Sequence, residues 1–103
     1  MVFPYFTVGR SYVVLGVGGD WLRLLNDDGE PVLLPSERVV VVDPAFSAFF
    51  LRDDDGRIGP GMFLVPGFFE RWHDGDARFR RLFELQYSLL LAEDIERNGP
   101  LDP

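Results

Sequence analysis

The chain has 103 residues, a length that one domain fills. It contains no cysteine, which excludes disulfides and thiolate metal sites, and its formal net charge of -7 argues against nucleic acid or an anionic membrane surface as a direct ligand. Hydrophobic residues make up 47% of the chain and ten of them are Phe, so a packed core is expected and disorder only in the tail from Asn98.

All basic residues are Arg, a composition expected of a GC-rich bacterial genome. The first ten residues lack the basic head and apolar core of a secretory signal, and no apolar run approaches the roughly 18 residues that span a membrane. The expected location is the cytoplasm.

Residues 11–17 form a β-branched and aromatic run ahead of Gly18-Gly19-Asp20, which reads as a strand and a permissive turn. Trp21–Leu25 reads as the next strand. Asn26-Asp27-Asp28-Gly29 is a turn signal, so Val32, Leu33 and Leu34 should return antiparallel. Pro35-Ser36-Glu37 predicts a short turn or one turn of tight helix. Residues 39–42, all valine, then predict a strand with two apolar faces, covered on both sides, and Asp43-Pro44 closes the unit. Alternation places Trp21, Arg23 and Leu25 on one face of their strand and Leu22 and Leu24 on the other. The charge on Arg23 marks its face as the outer one, with Trp21 largely exposed.

Residues 45–52 predict a fifth strand, with 62–65 pairing back across the turn Asp53-Asp54-Asp55-Gly56. Phe68, Phe69 and Trp72 share the spacing of a short helix that ends before Gly75. Asp74 or Asp76 then caps a longer helix to about Arg97, stopped by Gly99-Pro100. The expected fold is α+β in a single domain: a β portion at 6–43, a connecting hairpin at 44–65, a helical pair at 66–98 and a tail at 99–103.

Gly9 ahead of Tyr12-Val13-Val14-Leu15, Asp20-Trp21, the Asp28-Gly29 turn and Leu34-Pro35-Ser36 before Val39 follow one another in an order that resembles the Src-homology-three family of small barrels. The resemblance covers about residues 6–42. It implies a small antiparallel barrel, in which Trp21 and Pro35 would help line a groove for proline-rich peptides. Three departures leave that groove incomplete. Gly18-Gly19 stands where the family has a long acidic loop, Leu22 replaces the second aromatic, and Arg38 replaces an aromatic before Val39. More loosely, Gly59-Pro60-Gly61-Met62-Phe63 with Phe68-Phe69-Glu70-Arg71 resembles small uncharacterised bacterial proteins of the immunity kind, which block a toxin.

Other motifs fall short of a chemistry. Gly16-Val17-Gly18-Gly19 meets Trp21 at the third position of a dinucleotide fingerprint and runs into a strand. A calcium loop aligned on Gly56 places Leu51 and Met62 at its first and last ligand positions. His73 is the only histidine and is flanked by Asp74 and Asp76, which could make it a general base or a metal ligand. Its place at a helix end is the simpler explanation, because an imidazole suits the negative end of the dipole. Arg71, Arg78, Arg80 and Arg81 are the one basic concentration. Positive charge near a helix start is unfavourable, which predicts an offset such as an Asp76–Arg80 pair or an acidic partner.

The leading expectation is a non-enzymatic module that binds a protein partner, without cofactor or metal, with an immunity or antitoxin-like inhibitor as its sharper form. A structural subunit of a larger assembly and a small hydrolase using His73 are the rivals. The candidate protein-binding residues are Trp21, Arg23, Arg38, Arg78, Arg81, Leu90 and Leu91. Leu82, Leu85, Leu89 and Ala92 share one stripe of the long helix. Its surplus apolar face should pack on the aromatic segments 46–50 and 68–72 or on a second chain, making a homodimer.

Overall fold

The computed structural model describes residues 6–43 and 45–100. The expectations for the first five residues, for Pro44 and for the last three residues of the tail lie outside the described part.

Three strands open the fold: β1 (Val14–Val17), β2 (Trp21–Leu25) and β3 (Pro31–Pro35). They pair antiparallel in sequence order, with Trp21 opposite Pro35 and Leu25 opposite Pro31. The β2–β3 connection is fixed by Asn26. Its buried side-chain Oδ1 accepts from the amides of Asp28 (3.0 Å) and Glu30 (2.8 Å), and Gly29 takes the positive φ that closes the turn. A 3₁₀ turn, Ser36–Arg38, follows where one turn of tight helix is expected.

A second hairpin joins β4 (Phe50–Arg52) to β5 (Ile58–Pro60) through a turn built the same way. Asp53 Oδ1 accepts from the amides of Asp55 and Arg57, and Gly56 takes the positive φ. The returning strand is therefore 58–60 and not 62–65. Residues Gly61–Leu64 form a 3₁₀ turn that brings Phe63 into the core. The turn residues set the register here, four positions earlier than the apolar run suggests. Gly16 and Gly59 let β1 and β5 approach, since a Cβ on either would lie 3.2 Å from a carbonyl oxygen of the other strand.

The whole is α+β: a five-stranded antiparallel sheet of order β3-β2-β1-β5-β4, followed by helices α1 (Phe68–His73) and α2 (Ala77–Asn98). The sheet is open and does not close into the expected barrel, with β3 and β4 as its edges. The expected strand at 39–42 is absent. Those residues are coil with a bend at Val42, and Val40 is 88% and Val42 84% exposed. β-branched side chains favour a strand only when a neighbour supplies the other half of the ladder, and here the chain leaves the edge of β3 without one.

Gly75 ends α1 in the left-handed conformation, with its amide on the Trp72 carbonyl and the Asp76 amide on that of Arg71. Asp76 at once caps α2, accepting from the amide of Arg78 at 3.0 Å. This two-residue hinge folds α1 and α2 around one aromatic cluster. Phe63 stands at its centre, with ring centroids 5.2–5.3 Å from Phe68, Phe69 and Phe83. Leu15 from the sheet and Leu90 from α2 complete it. Aromatic pairs of this geometry add about 0.5–1.5 kcal/mol each beyond their burial.

Leu22 and Leu24 are buried as expected. The Trp21 face, however, is not the outer one. Leu25 packs against the aromatic core, and the Arg23 guanidinium lies 3.7 Å from the centroid of the Phe69 ring. A planar guanidinium can be covered by an aromatic ring and keep its charge, so one Arg does not mark a solvent face.

Candidate protein-binding surface

The seven candidate residues fall on separate parts of the molecule. β2 carries Trp21 and Arg23. The indole of Trp21 settles over Gly18, where a Cβ would come within 2.0 Å of it, so the turn glycine is required and Trp21 is half-buried. Arg23 lies between the Trp21 ring, at 5.9 Å, and Phe69. Loss of solvent lowers its pKa to about 10; Glu70 opposes the shift and Arg57 adds to it. The group stays charged at neutral pH. The cavity beside it is about 100 Å³, well below the roughly 300 Å³ where small-molecule sites begin. Trp21 and Arg23 line this small cavity, with Arg23 packed between the sheet and Phe69 of α1.

Arg38 is exposed at the end of the 3₁₀ turn. Arg78 and Arg81 are exposed on the first turns of α2. Asp76 pairs with Arg78, weakly at 3.8 Å, and not with Arg80. Arg80 donates from Nε to the Trp72 carbonyl and covers the Trp72 ring at 4.5 Å. Leu91 is half-buried. Leu90 is 2% exposed inside the core and is withdrawn from any partner. At 100° per residue it falls on the side of α2 that meets Phe63 and Phe83, not on the stripe of Leu85 and Leu89.

His73 is exposed, with its ring edge-on to Trp72 at 5.1 Å. It borders an open cleft of about 600 Å³ with Asp28, Glu30, Arg80 and Glu84. Asp76 is committed to the α2 cap. In the β4–β5 turn, Asp53 gives one oxygen to two amides and the other to the Arg57 guanidinium at 2.7 Å. Among the described residues no group of three or more His, Asp or Glu stands where it would hold a metal ion. No helix there is long and apolar enough to cross a membrane.

Among the described residues, two stretches of neighbouring apolar side chains stand out at the surface. One is the strap formed by residues 39–43 and 45–49, between the first 3₁₀ turn and β4, with Val40, Val41, Val42, Phe46 and Phe49 exposed. It is tied to α2 by three bonds: Arg97 Nε and Asn98 Nδ2 donate to Asp43 Oδ2, and the Ala48 amide donates to Glu93 Oε2 at 2.9 Å. The hydrogen bonds on Asp43 hold its carboxyl down at about 2; Asn98 contributes most, then the Ala45 amide and Arg97. The other surface is the outer stripe of α2, Leu82, Leu85 and Leu89. The aromatic segments do not cover it: Phe68, Phe69 and Trp72 pack against Phe83 instead, while Phe46 and Phe49 remain exposed. The strap was hidden in the sequence by its strand-like composition. Its one signal was an unbroken valine run with no alternation.

Comparison with protein-family models, with curated proteins and with solved structures found no match for this chain.

Proposed function

We propose that the protein is a binding module that acts on another protein by surface complementarity, with the strap of residues 39–43 and 45–49 as its contact. The observation that carries this is a run of large apolar side chains held in solvent by specific ties to α2. A bare apolar surface of this kind is costly to a monomer and is typical of an interaction site. The net charge of -7 suits a partner with basic residues around an apolar centre. An inhibitor of the immunity or antitoxin kind is the narrower form of this reading.

The test is co-expression with the proteins encoded by neighbouring genes. A stoichiometric complex that survives His73→Gln and is lost in Val42→Asp with Phe46→Asp supports the reading. A complex indifferent to the strap variants contradicts it. Turnover of a substrate that depends on His73 would favour the hydrolase. The structural-subunit reading draws on the outer stripe of α2, which the strap does not reach.

A further inference from the structure

The outer stripe of α2 is longer than its leucines. Arg78, Leu82, Leu85, Leu89, Ala92 and Glu96 are spaced alternately by four and three residues, the repeat of a coiled-coil seam. At 100° per residue all six lie within about 80° of arc. Each is exposed. The seam is apolar in the middle, positive at its start and negative at its end.

That charge order runs against the helix itself. Arg78 and Arg80 stand in the first turn, where the dipole is positive, and Glu96 in the last, where it is negative. The chain offsets little of this. Arg78 has only the 3.8 Å contact with Asp76, and among the described residues Arg81 and Glu96 form no ion pair. A second copy of the same helix laid antiparallel reverses the order and meets each charge with its opposite.

We propose that α2 forms an antiparallel two-fold contact with α2 of a second copy through this seam. The layers follow from the numbering. Arg78 meets Glu96 of the other copy, Leu82 meets Ala92, and Leu85 meets Leu89, each occurring twice by symmetry. These are the alternating layers that an antiparallel coiled coil requires, and a two-fold axis makes the surface self-complementary. A parallel pair would set Arg78 against Arg78 and Glu96 against Glu96. The seam spans about 27 Å at 1.5 Å per residue. A strip of that length and one helix wide is at the low end of stable interfaces, which need on the order of 1,000 Å² in total. The inference is independent of the partner proposed for the strap.

Sedimentation equilibrium of the full chain tests it. The unaltered protein should sediment at twice 11.7 kDa at tens of micromolar. Leu85→Glu sets carboxylates into both central layers and should raise the dissociation constant by on the order of 100-fold. Leu85 is exposed, so the variant should keep its cooperative unfolding transition, which circular dichroism checks. Arg78→Glu should weaken the dimer about tenfold, and adding Glu96→Arg should restore it. A single 11.7 kDa species at these concentrations overturns the proposal, as does a dimer indifferent to Leu85→Glu. Failure of the double exchange to restore a dimer weakened by Arg78→Glu overturns the antiparallel register. Loss of a heterologous partner in strap variants would leave these results unchanged.

Discussion

Helix α2 carries two seams of identical spacing, offset by one residue and so by 100° around the helix. The inner one is Phe79, Phe83, Gln86, Leu90, Glu93 and Arg97; the outer one is Arg78, Leu82, Leu85, Leu89, Ala92 and Glu96. Every residue of the inner seam is used within the chain. Phe79, Phe83 and Leu90 pack in the core, Gln86 is buried beside them, and Glu93 and Arg97 hold the strap. The outer seam is exposed along its length, and its ion pairing within the described chain is the weak contact of Arg78 with Asp76. Aliphatic content does not explain the choice, since the outer seam has more leucine. The inner seam wins because Phe83 stacks on Phe63 and Tyr87 and lies against Trp72 and Phe69, a set of rings that leucine could not match in shape.

The sharpest way to break this contrast is to shorten a residue from each seam. Phe83→Ala should cost about 3–5 kcal/mol of stability in urea unfolding, because it empties the centre of a packed ring cluster. Leu85→Ala, measured where the protein is monomeric, should stay within about 0.5 kcal/mol. Equal losses would show that the two seams contribute alike.

A smaller effect is expected at the turns. Asn26→Ala leaves two part-buried amides without their acceptor and should cost about 1–3 kcal/mol. Replacing Asp54, which is exposed at the tip of the second turn, should change little. Circular dichroism melts of the two variants compare them directly.

The smallest effect is a matter of pH. The Asp43 carboxyl has a folded pKa of about 2, below its ordinary value, so the tie it makes to Arg97 and Asn98 is fully present above about pH 4 and is lost as pH falls through 2. Amide exchange in the strap should rise over that window before the core opens. Protection that is unchanged until global unfolding would show that Asp43 does not hold the strap.

Much of the local structure was legible in the sequence. The β2 strand, both turns, the 3₁₀ turn after Pro35 and the caps of both helices follow from residues whose backbone chemistry is local, such as Asn26, Gly29, Gly75, Asp76 and Gly99. What escaped depended on neighbours distant in the chain. The valines at 39–42 needed a pairing strand, and Arg23 needed Phe69 above it. Which stripe of α2 would be buried depended on Phe63, which a 3₁₀ turn delivers. The stripe left over was visible as surplus hydrophobicity; the charges that give it a direction make sense only once its exposure is known.

The central claim is that the outer seam of α2 is matched to its own reversed copy. The chain has no cysteine, so a single spin label can be placed at Ala77→Cys, exposed at the start of α2 and outside the seam. In the antiparallel dimer the two labels sit at opposite ends of the helix pair, about 30 Å apart along the axis at 1.5 Å per residue. A pulsed electron paramagnetic resonance distance near 30 Å is the predicted result. A distance near one helix diameter, about 10–12 Å, would mean a parallel pair, and no dipolar coupling at concentrations of tens of micromolar would mean no pair at all; either contradicts the account.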